Sequence, residues 1–398
     1  MKRILIIIEA INIGGTGSSL KNLLANAKEG DYDITVGILS NYEKSVQQIG
    51  DYIKTIPIDS FSRPSMSKIQ KIKTLFFCKL GFGFFINYLG WLINEKNRQA
   101  MVASAQISEL IWVSKLDTID FTEEYDVVIS WCEMYTNYLL ANKIKANKKV
   151  GFVHPDYIGA KFTPKYDKQT FEKLDCICAV SKTGANSLKT AFPEYSKKIR
   201  YVYNKLQVNN IVEKSNATSF EYSKDLLNIV TVARMQNLSK GFDRIVRVAK
   251  RLSADGLDFV WRIVGDGEDR QSTQKQIDKN GLAEKVIIEG MKENPYPYVA
   301  QADLFALCSY YEGFPMVVDE ALALGVPCFV TEYSSAREQV SEDVGFVVEN
   351  NEDAIYKGLK SIITYPEQLV EKRERLSEKS NDSFADCSDF YEMIESVL

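Results

Sequence analysis

The sequence predicts an α/β protein made of two Rossmann-like domains, and three observations carry that expectation. A chain of 398 residues is too long for one ordinary hydrophobic core and long enough for two. Its apolar runs are short and nearly uninterrupted, as in strands buried on both faces of a parallel sheet. Those runs come in two successive rhythms broken by helix-like or polar stretches, which is the alternation of parallel α/β sheets. Hydrophobic residues at 45% and charged residues at 26% fit a soluble globular chain.

The first rhythm passes through Arg3–Ile8, Ile34–Leu39, Ile53–Ile58, Val127–Ser130, Val150–Val153, Ile177–Val180 and Ile199–Val202. The opening strand runs into a glycine-rich stretch that includes Gly14, Gly15 and Thr16, ahead of a helix expected from about Leu20. Such a loop can cradle a phosphate. It lacks the third glycine of the dinucleotide fingerprint, and no acid follows a second strand where a ribose would need one, so a dehydrogenase is the weakest reading. A polar stretch from Tyr203 through Lys224 reads as the linker, which sets the expected domains at 1–205 and 206–380. The second rhythm is Asn228–Val232, Val260–Val264, Val286–Glu289, Leu304–Leu307, Cys328–Val330 and Gly345–Val348. Residues 381–398 read as one amphipathic helix with Phe384, Phe390, Met393 and Val397 on its apolar face.

Tyr311–Pro327 is the most informative segment. Glu312 and Glu320 stand eight positions apart around an expected helix start, after a buried strand that ends near Cys308. The helix is predicted over Val317–Leu324, closed by Gly325, with Pro315 suited to its first position. Gly313 permits close approach of a ligand, and the free N–H groups of a helix start attract anions. The same segment thus offers carboxylates for hydroxyls and amides for phosphates, although a glutamate in a first turn also serves the helix dipole alone. Upstream, Arg234 and Lys240, followed by Gly241, stand in a strand–loop–helix stretch, where an isolated pair of cations is equally consistent with an exposed loop. His154, the single histidine, follows the apolar run at Val150.

The spacing of Glu312 and Glu320, Arg234 and Lys240 before them, and the turns at Ile263–Gly267, Ile288–Gly290 and Gly325–Pro327 occur in one order. In that order the chain resembles the retaining glycosyltransferases of family 4, which have the GT-B fold; the match covers most of the second half. The resemblance implies two domains facing a central cleft, with residues 381–398 packing back on the first. It implies that Arg234 and Lys240 grip the donor diphosphate, where fixed cations stabilise the charge that grows as the sugar–phosphate bond breaks. Glu320 would bind ribose hydroxyls, and Glu312 would lie near the transferred sugar. The amides of Gly313, Phe314, Met316 and Val317 would face sugar and phosphate. Gly265 and Met291 would complete the donor side, with Met291 near the base. Gly14, Gly15 and Thr16 would line the cleft, and His154 would contact the donor sugar. In that family the leaving phosphate helps deprotonate the acceptor, so Glu312 is expected to position or stabilise charge rather than act as nucleophile.

The implied reaction moves a sugar from a nucleotide-sugar donor, with a UDP-sugar preferred, to a carbohydrate or lipid-linked glycan in surface polysaccharide or glycoconjugate synthesis. A nucleotide-sugar epimerase of the same shape, and a non-catalytic partner of an active transferase, are the competing readings. No metal and no cofactor are expected, because the Asp31–Asp33 pair precedes a strand instead of following one. A net charge of −4 argues against nucleic-acid binding. The seven cysteines form no Cys-x-x-Cys pair and suit reduced thiols in a cytoplasmic protein. Residues 63–98 break the rhythm, with cations from Arg63 to Arg98 flanking a run of aromatics. That segment reads as a contact with the anionic inner face of the cell membrane, as a buried hairpin of the first domain or, against the weight of Lys79, Asn87 and three glycines, as a membrane span.

Overall fold

A computed structural model of the protein describes residues 1–11, 15–27, 32–49, 54–58, 98–217, 221–379 and 381–398. Gly14 and the basic aromatic stretch 63–97 lie outside the described residues. The chain divides into two compact units, residues 1–204 with 387–398, and residues 205–386.

The first unit holds β1 (Lys2–Ile8), β2 (Tyr32–Ile38), β3 (Lys54–Pro57), β4 (Ile119–Asp120), β5 (Val127–Ser130), β6 (Ile144–Lys145), β7 (Lys148–Val153), β8 (Cys176–Ala179) and β9 (Ile199–Tyr201). Seven of these form a parallel sheet in the order β3-β2-β1-β5-β7-β8-β9, and β4 pairs with β6. Ile4 to Ile7 are fully buried along β1, and Val127 to Ile129 along β5, as expected of strands covered on both faces. The strand order reverses between β1 and β5, so the loops leaving their carboxyl ends open a crevice between them.

The second unit holds β10 (Leu227–Val232), β11 (Phe259–Val264), β12 (Val286–Gly290), β13 (Leu304–Leu307), β14 (Cys328–Thr331) and β15 (Gly345–Val348). All pair in parallel, in the order β12-β11-β10-β13-β14-β15, with the reversal between β10 and β13. Helix Phe242–Ala254 buries Phe242, Ile245, Val246, Val248, Ala249 and Leu252 on one side of this sheet, against Trp261 and Phe329. On the other side, Val318, Ala321 and Leu322 pack with Phe305 and Val330.

Three local readings are corrected. The helix after β1 begins at Gly15, not near Leu20, because Gly17 and Ser19 are small enough to be buried within its first turns. Pro315 is the N-cap of helix Met316–Ala323 rather than its first residue, and its extended ψ of 111° turns the chain into the helix. Residues 381–398 form two short helices, Asp382–Ala385 and Ser388–Glu395, separated by Asp386 in extended conformation. The break has a packing cause: Phe384 lies against the second unit's apolar clusters, whereas Tyr391 stacks on Tyr32 of the first unit.

Candidate functional site

Within the second unit, the loops leaving β10 and β11 are zipped together by their backbones. Ala233 N–H donates to the Val264 carbonyl at 3.1 Å, Met235 N–H to Asp266 at 2.9 Å, and Asp269 N–H returns to Met235 at 3.1 Å. Gly265 has φ of 154°, and a Cβ there would lie 2.0 Å from the Ala233 carbonyl oxygen. Only glycine lets these two loops come so close. The sequence reading placed Gly265 beside the donor, and its local task is this approach.

The loop then forms the short helix Asn237–Lys240, which stops at Gly241 in left-handed conformation with φ of 68°. A Cβ at Gly241 would sit 2.6 Å from the Cys308 carbonyl, so the loop after β10 lies directly on the loop after β13. Tyr310 N–H donates to the Ser239 carbonyl at 2.8 Å. That clamp brings Lys240 to Glu312: Nζ donates to Oε1 at 2.6 Å, and Ser309 Oγ donates to the same oxygen at 2.6 Å. Lys240 and Glu312 keep 23% and 10% of their side-chain surface exposed, so the pair sits at the wall of the crevice and not in the core. Arg234 is exposed, and its side chain makes no hydrogen bond or ion pair with the described residues.

Past Glu312, side chains from the segment after β14 collect the backbone carbonyls. Ser335 Oγ donates to Gly313 at 2.6 Å, and Gln339 Nε2 to Pro315 at 3.2 Å. The Val318 N–H takes the Pro315 carbonyl at 3.1 Å, which leaves the Met316 and Val317 amides at the start of helix Met316–Ala323 to meet a ligand. The Met316 side chain itself is core, packed with Leu206 and Ile211, so a role at the site falls to its backbone. Val317, Gly313 and Phe314 are half-buried. Met291 is 64% exposed just beyond Gly290, whose φ of 76° turns the chain out of β12.

Glu320 lies in the second turn of that helix, half-buried, and hydrogen-bonds the Tyr296 hydroxyl. Burial pushes its carboxyl up to about 7, against the lowering effect of Tyr296. Asp319, absent from the sequence-derived site, is its buried neighbour. Burial raises it to about 7 as well, against the bond it accepts from Gln339 Nε2 at 3.0 Å and with a further raise from Glu320. The sequence signal was an acidic residue on the apolar face of an otherwise hydrophobic helix.

In the first unit, His154 directly follows β7 and is half-buried. Its Nε2 lies 2.7 Å from the Trp131 carbonyl, which can only accept, so Nε2 carries the proton and Nδ1 is the face left for a ligand. Burial lowers its basicity, opposed by the nearby Glu133 carboxylate and then by the Trp131 carbonyl. Glu133 also accepts the His154 backbone N–H at 3.3 Å. Trp131 is the residue that sequence reasoning missed. Its indole N–H reaches the Thr16 carbonyl and Ser19 Oγ, each at 3.2 Å, and its backbone carbonyl meets the imidazole, so one residue ties the helix beginning at Gly15 to His154. Just beyond, Met134 holds φ of 58° and ψ of −106°, a strained conformation for a side chain of its size. A Cβ at Gly15 would meet nothing within 4 Å, which leaves space above the start of that helix.

Among the described residues no group of three acidic, cysteine or histidine side chains is placed to hold a metal, and no helix is long and apolar enough to cross a membrane.

The two parallel sheets and their paired switch points define the GT-B fold. Solved structures agree over the whole chain: the lipopolysaccharide outer core galactosyltransferase WaaB superposes with TM-score 0.64 at 18% identity, covering 100% of both chains. HepE from Anabaena, in complex with UDP, superposes with TM-score 0.67 at 14% identity, covering 100% of this chain and 99% of its own. Residues 215–382 match the family described as Glycosyl transferases group 1, the group to which the motifs point. Among curated proteins, the N-acetylgalactosamine-N,N'-diacetylbacillosaminyl-diphospho-undecaprenol 4-alpha-N-acetylgalactosaminyltransferase of Campylobacter jejuni is 33% identical over 196 residues, 48% of this chain and 52% of that one. The amylovoran biosynthesis glycosyltransferase AmsD of Erwinia amylovora is 25% identical over 179 residues, 42% of this chain and 50% of its own. The chain spans about half the length of these curated relatives.

Proposed function

We propose that this protein is a retaining glycosyltransferase of family 4 that moves a sugar from a nucleotide-sugar donor, preferably a UDP-sugar, to a carbohydrate or lipid-linked glycan acceptor. The observation that carries this reading is the Lys240–Glu312 pair at the switch point between β10 and β13, beside a helix start with free amides. Lys240 and the exposed Arg234 take the diphosphate, and the N–H groups at Met316 and Val317 add the positive end of a helix dipole. Glu320 accepts ribose hydroxyls. Glu312, anchored through one oxygen, offers the other toward the transferred sugar. His154 presents Nδ1 to the sugar. No protein nucleophile, metal or cofactor is called on. The UDP complex of HepE and the diphospho-undecaprenol-linked substrate in the name of the Campylobacter relative support the donor and acceptor classes. Polysaccharide or glycoconjugate synthesis at the cytoplasmic face of the membrane is the matching role, and segment 63–98 is the proposed membrane contact.

The test is calorimetric binding of UDP-, GDP- and ADP-sugars to the parent, Lys240→Ala and Glu320→Ala. Selective binding by the parent, weakened roughly 10- to 100-fold by either change, is expected. A folded parent that binds none of them turns the weight to a non-catalytic GT-B partner, and donor turnover without acceptor turns it to an epimerase.

A further inference from the structure

The loop that carries Glu312 leaves β13 at Leu307, and from there its carbonyls lose their sheet partners. Three of them, at Cys308, Ser309 and Tyr310, are met by one buried arginine and the half-buried Asn350. Arg244, 2% exposed on helix Phe242–Ala254, donates Nε to the Cys308 carbonyl at 2.6 Å. Its Nη1 and Nη2 both donate to Asn350 Oδ1, at 2.8 and 2.9 Å. Asn350 Nδ2 in turn donates to the Tyr310 carbonyl at 2.9 Å, and the guanidinium lies 4.0 Å from the centre of the Tyr310 ring. Between them, the Ser309 carbonyl accepts from Thr331 Oγ1 at 2.6 Å.

No carboxylate of the described residues forms an ion pair with Arg244. A buried cation satisfied only by neutral oxygens is an expensive way to fill space, since apolar side chains of similar volume are commonly as stable or more so. What the guanidinium supplies is direction: a planar fork that holds a carbonyl on one edge and an amide oxygen on the other. The held segment contains Ser309, whose hydroxyl bonds Glu312 Oε1, and Tyr310, whose N–H bonds Ser239 beside Lys240.

We infer that Arg244 and Asn350 are positioning residues that set Glu312 against the donor by clamping the backbone of Cys308–Tyr310. The inference rests on the donor-site reading above. Neither residue touches the donor; both act through the loop. Small misplacement of a group facing a reacting centre is costly, so the clamp governs the sugar contact more than the grip on the nucleotide.

Two variants test it. Arg244→Lys keeps the charge but cannot span both acceptors, and Asn350→Ala is the milder change should the first fail to fold. Amide hydrogen exchange over residues 308–313 is expected to speed up at least tenfold in each, with the rest of the second unit within twofold. Unchanged exchange overturns the clamp whether or not nucleotide binds. The second measurement is the ratio of the Kd of UDP to that of UDP-glucose, UDP-galactose or UDP-N-acetylglucosamine. Both variants are expected to bring that ratio near the value for Glu312→Ala while the Kd of UDP stays within threefold, and adding Glu312→Ala should cause no further change. A ratio equal to the parent's, or a UDP affinity that falls in step with it, overturns the positioning role. A parent that binds neither UDP nor a UDP-sugar overturns the donor-site reading instead, a result the exchange experiment keeps separate.

Discussion

The two switch points are built differently. In the second unit, the loops after β10 and β13 are held by backbone zips, left-handed glycines and side chains that take up carbonyls, from Arg244 and Thr331 to Ser335 and Gln339. In the first unit, a single residue, Trp131, joins the start of helix Gly15–Asn26 to His154, through its indole N–H on one side and its backbone carbonyl on the other. Many hydrogen bonds to backbone carbonyls hold a loop in one conformation, as they hold the loop that carries Glu312. Fewer such bonds hold the first unit's crevice among the described residues, which leaves its shape more latitude.

That contrast is broken most severely at Gly265. A methyl group 2.0 Å from the Ala233 carbonyl must part the loops after β10 and β11, at roughly 3 kcal/mol from overpacking and backbone strain together. Gly265→Ala is expected to lower the melting temperature of the second unit and to weaken nucleotide binding, and calorimetry reads both. A stable variant with parental affinity would mean that the zip is not what holds the site.

The first unit's comparable stake lies away from its switch point. Asp167 is buried and accepts from Gln106 Nε2 at 2.6 Å and from the hydroxyls of Tyr138 and Tyr157, both at 2.5 Å. Burial raises its carboxyl to about 6, against those three bonds. Its folded value lies above the unfolded one, near 3.8, so the protonated form is favoured in the fold. Its contribution is therefore complete below pH 3.8 and lost as pH rises to about 6, a span worth roughly 3 kcal/mol. Unfolding followed by tyrosine fluorescence should show the first unit losing stability over that window relative to Asp167→Asn. A parallel pH dependence in the two proteins would assign the change to other groups.

The strands were legible and these networks were not, for one physical reason. A parallel strand buried on both faces writes its whole environment as a continuous apolar run, and Val127–Ser130, Leu304–Leu307 and Gly345–Val348 begin and end where those runs do. Lys240 and Glu312 were each read as donor-side residues from a motif, but nothing in the sequence paired them with one another. Arg244 and Asn350 meet across 106 positions, and Gln106 meets Asp167 across 61, in segments with no pattern of their own. The start of helix Gly15–Asn26 was read late because glycine and serine, poor helix formers, sit there for close packing.

His154→Gln sharpens the first unit's side of the comparison. A glutamine amide can reproduce the Nε2 bond to the Trp131 carbonyl while removing Nδ1. The fold should persist and transfer should fall about 10- to 100-fold if Nδ1 meets the sugar. Transfer at the parental rate would make His154 a packing residue of the Trp131 cluster.

Gly15→Ala carries the smallest expected change and the cleanest contrast with Gly265. Its Cβ would enter space with no atom within 4 Å, at the first position of helix Gly15–Asn26. Replacing a glycine there removes freedom from the unfolded chain and should leave stability unchanged or raise it by less than about 1 kcal/mol. A methyl group that costs the fold nothing is then a probe of what occupies that space during turnover. An increased acceptor KM with an unchanged Kd for UDP-sugar would put the acceptor against Gly15, and a weakened UDP-sugar would put the donor phosphate there. Parental kinetics would remove Gly15 from the first unit's candidate site residues and leave His154 among them.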